Sequence, residues 1–166
     1  TAVGYESLSV SIDGDYNTAI GYLALRVYEG TDGEGFNTAV GANAMGSATT
    51  AEFNTAMGYS SLAGDALTGD RNVGIGYHAG LVLTSGANNV FVGADAGDAL
   101  TTGANNVAVG KGAMGTANTG ESQNVAIGTN ALEDMDSAED NHNVAVGYRA
   151  ASNLTTGANN TVIGTE

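Results

Sequence analysis

Hydrophobic and polar positions alternate in a five-residue phrase that recurs along the whole chain. The phrase is Asn, then Thr or Val, a mostly small residue, an aliphatic residue and Gly, as in Asn17–Gly21 and Asn106–Gly110. Successive copies lie 17 to 20 residues apart, and a clipped copy, Thr1–Gly4, opens the chain. Alternation with period two predicts a short β-strand, and a fixed period predicts a solenoid with one turn per repeat. We therefore expect a single all-β domain over residues 1–166, a parallel β-solenoid of about ten repeats.

The asparagine and the glycine are the constant members of the phrase. The complete copies carry them at Asn17, Gly21, Asn37, Gly41, Asn54, Gly58, Asn72, Gly76, Asn89, Gly93, Asn106, Gly110, Asn124, Gly128, Asn143, Gly147, Asn160 and Gly164. The glycine predicts a corner, where the chain either turns tightly or has a positive φ. The asparagine has two interpretations, a stacked amide ladder inside the coil or a simple turn residue, and the sequence leaves both open.

Side-chain size suggests an assignment of the two strand faces. The second and fourth positions are mostly β-branched, as in Val107 and Val109, and we expect them to point into the coil. The third position is usually alanine, as in Ala19, Ala39, Ala56, Ala108, Ala126 and Ala145, and we expect it to approach a neighbouring chain. The four residues after the glycine, such as Tyr22–Leu25, predict a second short strand.

Composition and charge exclude several classes of function. The net charge is −14, from 18 acidic and four basic residues, and such a surface repels nucleic acid and anionic membranes. No apolar run approaches the roughly 20 residues of a membrane span. Because cysteine is absent, disulfides, thiolate metal sites and cysteine nucleophiles are excluded. We expect no nucleic-acid partner and no membrane insertion.

Candidate chemistry is sparse. His78 and His142 occupy variable positions, and no nucleophile or carboxylate pair is set out for catalysis, so we expect no enzymatic activity and no cofactor. Acidic loops are the candidates for calcium, which prefers several oxygen ligands from a flexible loop. The residues concerned are Asp13, Asp15, Asp32, Glu34, Asp134 and Asp136.

Aromatic residues recur after the corner glycine. They are Tyr5, Tyr22, Tyr59, Tyr77 and Tyr148. Such a row either packs between subunits, which we favour, or stacks on the sugars of a cell-surface glycan.

Three stretches, Asn88–Gly93, Asn105–Gly110 and Gln123–Gly128, resemble the head repeat of trimeric autotransporter adhesins. The longer form, with Tyr22, Ala24 and Leu25 and a Thr-Thr-Gly linker at 101–103 and 155–157, looks like the repeats of phage tail fibres. The resemblance implies a left-handed β-roll, a homotrimer, and a location outside the cell or on a virion surface. The period of about 18 residues is longer than that of the adhesin head, which predicts larger loops.

These observations predict a structural segment of a trimeric fibre, either a phage tail fibre or another extracellular filament. The alternative is an adhesin head that binds a host glycan or protein. Ice binding is the least expected role, because the threonines of the phrase are assigned to the inside. The chain begins and ends within or beside a phrase, so we expect both ends to be covered by more chain or by a molecule stacked end to end.

Overall fold

The computed structural model describes residues 1–11, 14–30, 35–118, 120–136 and 141–166. These residues form twelve short strands and no helix. The strands are β1 (Ala2–Val3), β2 (Val10–Ser11), β3 (Thr18–Ile20), β4 (Val27–Tyr28), β5 (Thr38–Val40), β6 (Thr55–Met57), β7 (Val73–Ile75), β8 (Val90–Val92), β9 (Val107–Val109), β10 (Val125–Ile127), β11 (Val144–Val146) and β12 (Thr161–Ile163). Within this part of the chain there is accordingly no helix that could cross a membrane.

Ten of these strands form one parallel sheet, in the order β1-β3-β5-β6-β7-β8-β9-β10-β11-β12. Each repeat adds one strand in strict register, so that Ala108 lies opposite Ala126 and Phe91 opposite Ala108. The chain returns to the same sheet after every repeat and thereby builds about nine turns of a solenoid. A second parallel pair, β2 with β4, forms on another wall of the coil. The predicted all-β parallel solenoid is confirmed.

The face assignment from the sequence is wrong. The third-position alanines, such as Ala19, Ala108 and Ala145, are completely buried inside their own chain. The second and fourth positions, such as Val107 and Ile127, are half-buried or exposed on the outside. The reason is the thinness of the coil: the wall opposite the strand carries Leu, Met and Ala side chains, and little room remains between the two walls. Only a small side chain fits there at close-packed density.

Phe91 is the large exception among the third positions, and its space comes from two glycines. Most turns carry Leu or Met four residues after the corner glycine, as at Leu132, but two turns have Gly80 and Gly97. A Cβ at Gly80 would lie 2.8 Å from Phe91 Cδ2, and one at Gly97 would overlap the same ring. The Phe91 ring thus fills the space that Leu or Met side chains occupy in other turns at the positions of Gly80 and Gly97.

The predicted second strand is also wrong, because the residues after the corner glycine form turns. Leu23 and Leu25 have φ of 57° and 45°, and Ala24 between them is buried. Left-handed backbone in a leucine costs about 1–2 kcal/mol. The bonds between turns persist nevertheless, and the N–H of Leu25 donates to the carbonyl of Ala44 at 2.9 Å. These hydrogen bonds offset the conformational cost and fix the corner.

The repeated asparagines form a ladder through the coil. The Oδ1 of each asparagine accepts a hydrogen bond from the backbone N–H of the next. The N–H of Asn72 donates to Oδ1 of Asn54 at 2.7 Å, and the N–H of Asn89 donates to Oδ1 of Asn72 at 2.9 Å. The side-chain amide donates to a carbonyl of the opposite wall, as from Asn89 to Gly103 at 2.8 Å. The ladder interpretation is therefore confirmed. The ladder uses the side-chain NH2 of asparagine as a donor, which aspartate lacks. A residue that only formed a turn would not require this donor.

The predicted corners are present, and their glycines have positive φ, between 132° and 145°. In this region of backbone space only glycine is free of strain. A Cβ at Gly93 would also overlap the carbonyl oxygen of Gly110 in the next turn. Both conformation and close stacking require glycine at this corner.

Candidate functional site

The outer side of the ten-stranded sheet carries four parallel columns of side chains, which we call the outer face. We number the rungs 1 to 10 from β1 to β12 in sheet order. The second phrase position gives the Thr/Val column, Thr1, Thr18, Thr38, Thr55, Val73, Val90, Val107, Val125, Val144 and Thr161. The fourth position gives the aliphatic column, Val3, Ile20, Val40, Met57, Ile75, Val92, Val109, Ile127, Val146 and Ile163.

Two further columns run along the edges of this face. The residues before each asparagine form the leading column, Tyr16, Phe36, Phe53, Arg71, Asn88, Asn105, Gln123, His142 and Asn159. The residues after each corner glycine form the trailing column, Tyr5, Tyr22, Ala42, Tyr59, Tyr77, Ala94, Lys111, Thr129, Tyr148 and Thr165. Hydrogen bonds between turns hold both columns in register, for example from Asn43 N to Tyr22 O at 2.8 Å and from Ser60 N to Ala42 O at 3.0 Å.

The structure brings the five predicted tyrosines into the trailing column. Tyr5 stacks on Tyr22 with ring centroids 5.6 Å apart, and Tyr59 stacks on Tyr77 at the same distance. Ala42 separates the two pairs and leaves a gap of one ring. Tyr148 stands apart at rung 9. All five are exposed, Tyr77 for example by 51%.

The leading column contains an aromatic stack that our sequence analysis missed. Tyr16 and Phe36 stack at 4.8 Å, Phe36 and Phe53 at 5.1 Å, and Arg71 Cζ lies 5.2 Å from the Phe53 centroid. Each of these four residues adopts left-handed backbone, with φ between 57° and 59°. The available signal was the recurrence of aromatic residues immediately before the asparagine.

Charge separates the outer face from the rest of the surface. None of the 18 acidic residues falls in the four columns, although two of the four basic ones, Arg71 and Lys111, do. Nine steps of about 4.8 Å and three strand residues of about 3.3 Å give the strand part of this face dimensions of roughly 43 by 10 Å, or roughly 430 Å², and the two edge columns extend it. The largest apolar patch on a typical monomer is about 300–600 Å². The outer face thus has the size and polarity of an interaction surface.

The calcium candidates are only partly within the described chain. Asp13, Asp32 and Glu34 lie outside the described residues. Asp15 is exposed and six rungs from the loop of Asp134 and Asp136, where Asp134 accepts a hydrogen bond from Thr116 Oγ1 at 3.1 Å. Among the described residues, no three His, Asp or Glu side chains gather as metal ligands.

The two histidines lie four rungs apart. His78 packs on Tyr77 with centroids 3.7 Å apart, and its Nδ1 is 3.7 Å from Asp95 Oδ1. Burial, with a smaller effect from the negative charge of Asp95, raises the pKa of the neighbouring Asp98 carboxyl. His142 is exposed in the leading column. The structure does not bring the two imidazoles together.

Comparison with known protein families, with curated proteins and with solved structures finds no match for this chain. The resemblance of the repeats to fibre proteins therefore stays a prediction. The geometry of the outer face carries the functional argument.

Proposed function

We propose that this chain is a structural, non-catalytic segment of a trimeric extracellular fibre, such as a phage tail fibre, in which three copies pack their outer faces around a common axis. The role is mechanical, since a stiff rod of stacked turns spaces or presents the parts attached to it.

The observation that supports this proposal is the outer face itself. Half-exposed Val, Ile and Thr side chains run along it for ten rungs, and no acidic residue interrupts them. The exposed acidic residues of the described chain, such as Asp15 and Asp65, lie outside the outer face, where their mutual repulsion would keep fibres from sticking laterally.

Sedimentation velocity at micromolar concentration tests the proposal. We expect a species of three 16.4 kDa chains. Val109→Asp brings three carboxylates together in the apolar interface and should give monomers, because unpaired buried charge is costly. Ser85→Asp adds the same charge at an exposed site outside the outer face and should leave the trimer intact. A monomeric wild-type protein with a β-type circular dichroism spectrum would refute the trimer.

A second candidate function is ice binding, and the corrected face assignment favours it. Thr18, Thr38 and Thr55 lie in one outward column at regular spacing instead of inside the coil. The two functions exclude each other, because a trimer covers the threonines. Thermal hysteresis in the wild-type protein, absent in Thr38→Lys, would support ice binding over the fibre.

The adhesin alternative concerns the exposed tyrosines of the trailing column. A glycan array probed with the trimer tests it. Binding that is lost in Tyr59→Ala and kept in Ser85→Asp would identify a sugar-binding fibre and not a passive one.

A further inference from the structure

The leading and trailing columns change chemical character at the same rungs. Planar aromatic or guanidinium groups fill the leading column at rungs 2 to 5, and tyrosines fill the trailing column at rungs 2, 4 and 5. At rungs 6 to 8 the two columns carry only smaller or polar residues, namely Asn88, Asn105 and Gln123 against Ala94, Lys111 and Thr129. At rung 9 both return to aromatic rings, His142 and Tyr148.

Contact within one chain does not explain this match. The two columns lie at opposite edges of the outer face, separated by a three-residue strand of roughly 10 Å and by the asparagine and corner glycine that flank it. The observed ring stacks run along each column and never from one column to the other. The shared pattern calls for a partner that brings the two edges together.

A second copy of this chain is that partner. In a ring of copies around an axis parallel to the rod, the leading edge of each copy meets the trailing edge of the next at the same height. A two-fold axis across the rod would instead set rung 3 against rung 8 and put aromatic groups against polar ones. The match at equal heights selects parallel chains in register.

We propose that the leading column of each copy packs on the trailing column of the next, rung by rung, with Phe36 of one copy seated over Ala42 of its neighbour. This inference rests on the proposed trimer and specifies its register.

Size supports the pairing at rung 3. Phe36 is 44% exposed even though its ring stacks on both Tyr16 and Phe53. Ala42 is the one small residue between the tyrosine pairs and leaves a hole bounded by Tyr22 and Tyr59. A ring in that hole would lie about 4.5–7 Å from both tyrosines, which is the range of favourable aromatic contacts. At rung 5 the same register sets Arg71 against Tyr77, a cation–π pair.

Thiol cross-linking tests the register, and the chain has no native cysteine to interfere. The pairs Phe36→Cys with Ala42→Cys and Gln123→Cys with Thr129→Cys are in register. Phe36→Cys with Lys111→Cys joins the same columns four rungs apart, or roughly 19 Å. With a short-arm bis-maleimide we expect covalent trimers from both in-register pairs and none from the displaced pair.

Sedimentation of each variant separates the two proposals. Trimers in which the displaced pair cross-links, or in which neither in-register pair does, would overturn the register and leave the fibre proposal standing. A monomeric wild-type protein, sedimented alongside the variants, would overturn both.

A matched pair of substitutions tests whether the neighbour's Phe36 occupies the space beside Ala42 at rung 3. Ala42→Phe fills the space assigned to the neighbour's Phe36, so the dissociation constant of the trimer should rise about tenfold or more. Ala94→Phe fills the equivalent gap at rung 6, opposite only Asn88, and should change it less than about threefold. Equal effects of the two variants would contradict the seating of Phe36 over Ala42.

Discussion

The asparagine ladder yields a sharp prediction for Asn89. Its side chain is completely buried and makes four hydrogen bonds. Oδ1 accepts the backbone N–H of Asn106 at 2.9 Å and its side-chain amide at 3.1 Å. Nδ2 donates to Oδ1 of Asn72 at 3.1 Å and to the carbonyl of Gly103 at 2.8 Å. Asn89→Ala removes all four without changing the backbone conformation.

The expected loss follows from the groups left behind. The backbone N–H of Asn106 and the carbonyl of Gly103 lose the side-chain partners they have in this structure. A buried group without a partner costs about 1–3 kcal/mol, so Asn89→Ala should lower the free energy of unfolding by about 4 kcal/mol. Asn89→Asp should destabilise further, because its second oxygen would face two acceptors and its charge would be buried.

Denaturant unfolding followed by circular dichroism at one fixed protein concentration measures the change, with hydrogen exchange at the Asn106 amide as the local readout. The control is Asn118→Ala, since Asn118 is exposed and lies outside the four columns of the outer face. The control should alter stability by about 0.5 kcal/mol or less. If Asn89→Ala and the control unfold at the same denaturant concentration, and the Asn106 amide stays protected from exchange, the ladder bonds do not stabilise the coil.

Three further predictions address the corner, the core and pH. Gly93→Ala should destabilise by more than about 3 kcal/mol, because strain at φ 136° adds to overlap with the backbone of the next turn. Gly112→Ala, with φ 63° and only the flexible Asn130 side chain close by, tests positive φ without backbone overlap. Equal losses in urea unfolding would eliminate the overlap. Ala108→Phe should lower the free energy of unfolding by about 1–3 kcal/mol because it overpacks the core. Adding Met114→Gly to the same chain should restore part of this stability, because it recreates the space found around Phe91. If the second substitution restores nothing, the Phe91 ring does not fill volume released by glycine. Because the folded pKa of Asp98 is raised, the folded state binds its proton more tightly, so this carboxyl lowers stability as pH rises above its unfolded pKa. Asp98→Asn should therefore raise the melting temperature at pH 7 and not at pH 3, and an equal change at both values would rule out the ionisation as the cause.

The repeat period was sufficient to predict the parallel solenoid, and the constant Gly93 and Gly110 predicted the corners. Alternation also separates the third position from the second and fourth. It does not decide which set lies inside. We assigned Val107 and Val109 to the core because large apolar residues are usually buried, whereas the coil admits only Ala108 between its walls. The distance between walls depends on the turns after each glycine, which the sequence presented as strands.

The second limit of prediction from the sequence concerns the positions that vary between repeats. These positions carry the most information about partners. Asn72 and Gly76 are fixed by contacts within their own turn and the next, so they repeat almost without change. Arg71 and Tyr77, at the two ends of the same strand, face outward and are not bound by that requirement. Any regularity among such residues must come from something outside the turn. Only once the strands are stacked does it become visible that both ends of the outer face change character at the same heights. That agreement between two surfaces which do not touch within one chain is what an interface between parallel copies requires, and it is the reason the copies are expected to associate rung against rung.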